Sequence, residues 1–237
     1  MDGGGAFTTE WTTLAVEGAL RCDAYAALPA SGQGTGLLVL HDMFGITPPF
    51  RALAEGYARR GMPAMVPNQF WRSEPSGELS YDGGHERAGA RIAAFDFHGA
   101  VAGLQGAIDA LRRSPRCNGK VMALGFCFSG RLAFLAAART DVDAAVSFYA
   151  LGISRDLAEA ARIACPLQLH YGLADEHVPI VEVDAVAAGV AGNANVTVYR
   201  YEGAGHSFFN PVRPMYDATA SALASCRIDA LLARIAP

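Results

Sequence analysis

The sequence contains no C-x-x-C pair. Its five cysteines, Cys22, Cys117, Cys127, Cys165 and Cys226, are odd in number and widely scattered, the pattern of reduced thiols rather than of a disulfide framework or a zinc site. It contains no basic cluster, and a net charge of −4 argues against nucleic acid or an anionic membrane as partner. No apolar run reaches the roughly 18 residues that a membrane span requires. The N-terminal stretch lacks a basic region followed by an apolar core, so no secretory signal is expected and a cytoplasmic location is. Repeats and low-complexity linkers are missing too. The expected partner is a small molecule, with the chain a monomer or small homo-oligomer.

What is present is apolar. Half of the 237 residues are hydrophobic and 18% charged, enough for a sizeable core in one domain covering residues 1–237, with 1–8 loosely ordered. Apolar runs alternate with helical stretches. "TTLAVEG" and "LRCDAYAAL" read as an antiparallel pair joined near Gly18, and Gly36 to Asp42 as a buried parallel strand. A helix follows, with Thr47 as cap, prolines in its first turn and Gly61 at its end. "MPAMVPN" is a short strand, residues 69–86 a polar surface loop, and residues 87–113 an Ala-rich helix. "KVMALGFC", "DAAVSFYA", "PLQLHYG" and "NVTVYRYEG" are further strands. Helices are expected after the first of these, over 154–162, in "IVEVDAVAAGVA" and over 215–235. The alternation implies an α/β fold with a mostly parallel sheet covered on both faces, whose working residues sit at the carboxyl ends of strands.

Four strand ends carry reactive side chains: His41-Asp42, Cys127, Asp175 and His206. Nucleophile, acid and histidine in that order along the chain is the order of an α/β-hydrolase triad. A thiol attacks as thiolate, an imidazole takes its proton, and a carboxylate orients the imidazole. In "GFCFSG" the turn needs small neighbours. Centred on Cys127 these are Gly125 and Ser129; centred on Ser129 they would include Arg131, which fits a crowded position poorly. Cys127 is therefore the expected nucleophile, with the backbone N–H of Phe128 at the start of the next helix. A metal set of His41, Asp42, Asp175 and His177 is disfavoured, because no two of these share a helical face. His170, inside an apolar strand, reads as a core histidine.

With "HDMFGI", "NGKVMALGFCFSG", "HYGLADEHVP" and "YEGAGHSFFNP" in register, the chain resembles the dienelactone hydrolase family, the cysteine branch of the α/β hydrolases, from about Gly36 to Arg234. The resemblance implies Cys127, Asp175 and His206 as triad, and the N–H groups of Phe128 and Met43 as oxyanion hole. It makes Asp42 the acid that contacts the resting thiol, where the best-known members have Glu. It requires no metal or organic cofactor. Family members that cleave dienelactone hold the substrate carboxylate with arginines. At the matching positions this chain has Asn210 and His85, with Arg72, Arg87, Arg91 and Arg213 as possible substitutes. Phe44, Phe70, Trp71, Phe128, Phe208 and Phe209 fall on or near the same loops, so the substrate-binding set is expected among Phe44, Trp71, His85, Arg87, Phe208 and Asn210. The function implied is hydrolysis of a small ester or lactone. The alternatives are a broad carboxylesterase or thioesterase, a silent hydrolase-fold protein that binds a ligand, and a redox-sensing thiol.

Overall fold

The computed structural model describes residues 5–17, 20–73 and 77–237. Among the described residues, eight strands make one mixed sheet in the order β1-β2-β4-β3-β5-β6-β7-β8. The chain forms two compact units, residues 1–122 with 236–237 and residues 123–235, and β5 (Cys117–Phe126) runs from the first into the second.

In the first unit β1 (Phe7–Glu17) pairs antiparallel with β2 (Leu20–Pro29). Phe7 and Thr8, expected to be loose, are held there opposite Pro29 and Leu28. The joint near Gly18 and residues 1–4 lie outside the described residues. β2 pairs antiparallel with β4 (Ala64–Pro67), which pairs parallel with β3 (Gly34–Leu40). Leu37 to Leu40 are wholly buried, each worth roughly 1.5–3 kcal/mol over exposure. α1 (Pro48–Arg59) starts on two prolines whose fixed φ suits a first turn. Thr47 holds the cap position through its backbone carbonyl, while its hydroxyl pairs with the Tyr81 hydroxyl at 3.0 Å.

The long Ala-rich helix is two helices. α2 (His85–Ala93) begins two residues earlier than expected, inside the loop assigned to 69–86, and α3 (Phe97–Arg113) follows after a break. Asp96 causes the break: its carboxylate accepts the N–H of Gly99 and caps α3.

In the second unit α4 (Phe128–Arg139) follows β5 without a connecting loop and is buried along almost its whole length. β6 (Ala144–Phe148), β7 (Leu167–Gly172) and β8 (Val196–Tyr201) pair in parallel. The segment 153–162 is a 3-10 helix kinked at Asp156, not an α-helix. Asp156 is buried and ion-paired with Arg131 of α4 at 2.5 Å. α5 (Ile180–Val190) and α6 (Ala218–Ile235) complete the unit, α6 starting three residues later than expected. No helix among the described residues is long and apolar enough to cross a membrane.

Candidate active site

At the end of β5 the chain turns at Cys127, whose φ of +58° is rare for a residue with a side chain and costs of order 1–3 kcal/mol. Two backbone bonds hold the turn: the Cys127 N–H donates to the Phe148 carbonyl at 3.1 Å, and the Gly130 N–H to the Cys127 carbonyl at 2.9 Å. A side chain at 125 is excluded, since its Cβ would stand 2.1 Å from the Ser129 carbonyl oxygen and 2.8 Å from the Ala133 Cβ. Ser129 lies inside α4, wholly buried. The cysteine occupies the turn and the serine the helix.

The turns after β7 and β8 carry Asp175 and His206 and are stitched by their backbones. The Leu173 N–H donates to the Tyr201 carbonyl and the Ala174 N–H to the Ala204 carbonyl, both at 2.9 Å. Gly172 permits this approach, because a Cβ there would lie 2.2 Å from the Ala204 carbonyl oxygen. One Asp175 oxygen accepts the N–H groups of His177 and Val178, at 2.8 and 3.0 Å, and so fixes its own loop. The other lies 2.8 Å from Nδ1 of His206. Loop anchoring and histidine orientation thus fall to one carboxylate.

Cys127 is the second side chain that acts on the His206 proton. Burial pushes its imidazolium down, but the hydrogen bonds to Asp175 and Cys127 and the charges of both groups outweigh burial and raise the pKa to about 10. Tyr149 and His177 flank the ring, with centroids at 5.0 and 4.8 Å. Sequence reading passed over Tyr149 and considered His177 only as a metal ligand. Both stand at strand ends, Tyr149 directly after β6 and His177 five residues after β7, which is the signal that points to them. Among the described residues, the non-glycine positions with positive φ are Cys127, Tyr149 and Ser207. All three are in, or next to, this cluster.

Asn210, expected where the family resemblance places a substrate-binding arginine, is buried, and its amide oxygen accepts the Val212 N–H at 3.2 Å. Phe208 is wholly buried against Phe148, Tyr149 and Tyr201. In the first unit, Asp42 accepts the Phe44 N–H at 2.8 Å and the Tyr81 hydroxyl at 3.3 Å. Phe44 is buried between Tyr81 and His85. Trp71 carries the Arg72 guanidinium over its ring at 4.2 Å. Arg87 and His85 are exposed. Arg91 is buried, donates to the carbonyls of Met43 and Gly77, and lies over Phe70. Burial lowers its pKa to about 10. His170 is the core histidine expected, with Nδ1 2.6 Å from the Tyr201 hydroxyl and Nε2 3.1 Å from the Gln168 amide oxygen.

Known proteins resemble the chain along its length. Carboxymethylenebutenolidase 1 of Cupriavidus pinatubonensis is 30% identical over 91% of this chain and 92% of its own. Carboxymethylenebutenolidase of Pseudomonas putida is 32% identical over 86% and 87%. Among solved structures, a dienelactone hydrolase-like promiscuous phosphotriesterase from metagenomic libraries superposes with a TM-score of 0.83, covering 98% of this chain and all of its own at 24% identity, a likeness of fold. The mixed sheet with helices on both sides is the α/β-hydrolase fold of these neighbours. The model of the dienelactone hydrolase family matches residues 22–236, through both compact units, and the chain belongs to that family of hydrolases.

Proposed function

We propose that this protein hydrolyses a small ester or lactone by acyl transfer through Cys127. The observation that carries the reading is the His206 imidazole, whose Nδ1 lies 2.8 Å from the buried Asp175 carboxylate and whose proton is held by Asp175 together with Cys127, the cysteine of the strand–helix turn. His206 takes the thiol proton and the sulfur attacks the carbonyl carbon, forming a C–S bond. The Phe128 N–H, at the start of α4, receives the oxyanion. The tetrahedral intermediate collapses, the C–O bond breaks, and His206 returns its proton to the leaving alkoxide. Water, deprotonated by His206, then attacks the thioester carbonyl; the C–S bond breaks, the acid product leaves, and the proton on His206 returns to the Cys127 sulfur. Asp175 keeps Nδ1 protonated and the ring aimed throughout. These side chains and water account for every bond change, so the mechanism draws on no cofactor.

The relatives' name implies a lactone substrate that bears a carboxylate. A neutral, apolar ester or thioester is favoured instead by two observations in the second unit. Asn210 spends its amide oxygen on its own turn. The loop beyond it exposes Val212, Met215 and Tyr216, with Met215 lying against Gly205, next to His206. The test is turnover of a dienelactone and of a neutral activated phenyl ester by wild type, Cys127→Ala and Ser129→Ala. Cys127→Ala should lose about a thousandfold or more on both substrates, and Ser129→Ala should retain hydrolysis. Full activity in Cys127→Ala contradicts the mechanism, and ligand binding without any turnover favours a silent binder.

A further inference from the structure

The Asp175 carboxylate holds His206 at one point. Nδ1 lies 2.8 Å from it, and a ring bonded at one nitrogen can still rock about that bond. Packing restrains the rocking. Tyr149 meets the ring with centroids 5.0 Å apart and planes at 59°, a spacing at which aromatic rings constrain each other's orientation. Tyr149 has little room to yield. It is 2% exposed, and its own ring packs against Phe126, Phe148 and Phe208 at 6.3, 5.9 and 5.6 Å. Phe208 lies two residues beyond His206, so the loop that carries the imidazole leans on the same tyrosine.

The backbone at Tyr149 is unusual as well. Its φ is +38°, a region that residues with side chains disfavour, and its N–H donates to the His170 carbonyl of β7 at 2.7 Å. A glycine there would carry no strain. Strained residues persist where the surrounding structure over-determines them, and they gather at working sites. The other non-glycine residues with positive φ among the described residues are Cys127 and Ser207, the turn cysteine and the neighbour of His206. The residue before Tyr149 reaches that cysteine: the Phe148 carbonyl accepts the Cys127 N–H at 3.1 Å. Two consecutive residues at the end of β6 thus hold the cysteine turn with one and the imidazole with the other. All of these residues lie in the unit 123–235.

We propose that Tyr149 is a positioning residue that sets the spacing between the Cys127 sulfur and the His206 imidazole: its strained backbone aims the ring at the imidazole, and its link to Phe148 ties that ring to the cysteine turn. The inference rests on the acyl-transfer reading above. Proton transfer from sulfur to imidazole needs the two within hydrogen-bond reach, and a misplacement of about 1 Å costs about a hundredfold in rate. The ring does the positioning, so phenylalanine can take the place of Tyr149 and alanine cannot.

The experiment makes Tyr149→Ala and Tyr149→Phe in wild type, and Tyr149→Ala again in a His206→Gln background. Two rates are read on the full chain: hydrolysis of an activated phenyl ester, and alkylation of Cys127 by iodoacetamide at neutral pH. In alkylation the sulfur forms a C–S bond and displaces iodide, and the thiol proton passes to His206, as in the first step of acyl transfer. In wild type, Tyr149→Ala should lower kcat and slow alkylation, each roughly tenfold to a hundredfold, with KM within about twofold. Tyr149→Phe should recover most of both rates. In His206→Gln no imidazole is left to place, so Tyr149→Ala should change alkylation by less than about twofold. Equal slowing in both backgrounds would show that the substitution disturbs the cysteine turn itself, and overturns the role of Tyr149. Unchanged kcat, or Tyr149→Phe falling as far as Tyr149→Ala, overturns it too. Should Tyr149→Ala fail to fold, Tyr149→Leu, which fills the site without a flat ring, carries the same expectation. Hydrolysis that survives Cys127→Ala overturns the acyl-transfer reading and this inference with it.

Discussion

Held 2.8 Å from Asp175 and raised to a pKa of about 10, the His206 imidazole binds its proton more tightly in the folded chain than at the ordinary value of 6.5. Its contribution to stability is therefore fully present below about pH 6.5 and is lost as the pH rises through about 10. Wild type should lose more stability than His206→Gln between pH 7 and 10, read as urea midpoints; parallel curves would remove the imidazole from that role. His170 has the opposite sign. Burial, aided by the nearby Arg227 charge, lowers its pKa to about 3, so its contribution is full above about 6.5 and lost as the pH falls toward 3. His170→Gln should make the stability-versus-pH slope between pH 6 and 4 shallower by about 1.4 kcal/mol per unit, the worth of one proton. An unchanged slope would mean that the buried ring is not what makes the fold acid-sensitive.

Among the elements, the strand–turn–helix around Cys127 leaves least room for change. Gly125→Ala would press a methyl into the Ser129 carbonyl and the Ala133 side chain. It should destabilise by about 1–3 kcal/mol or more, measured by urea denaturation; a neutral result would show that the turn relaxes freely. This motif was legible in the sequence because crowding leaves a readable trace, small residues at fixed offsets from the nucleophile. The alternation of strands and helices was legible for a similar reason: the runs from Leu37 to Leu40 and Val121 to Phe126 are apolar because they are buried. The break at Asp96 was not, since one capping carboxylate in an Ala-rich stretch looks like any surface charge until its partner, the Gly99 N–H, is known. The 3-10 winding of 153–162 depends on the buried Asp156–Arg131 pair, a contact 25 residues apart. His41 was visible as a strand-end histidine, but the bond its ring accepts from the Gln69 N–H depends on another loop.

At the scale of the molecule, β5 runs through both compact units and the family match spans both. We expect one cooperative unfolding transition. Fluorescence of Trp11 and Trp71, both in residues 1–122, should report the same urea midpoint as pulse alkylation of Cys127 in residues 123–235. Midpoints that separate would show two domains unfolding independently. The acyl-cysteine mechanism has a more direct test than any rate. Wild type mixed with an activated phenyl ester and quenched in acid within the first turnover should gain the mass of one acyl group, mapped by peptide analysis to Cys127 and missing from Cys127→Ala. An acyl group on Ser129, or steady hydrolysis by Cys127→Ala, would contradict it.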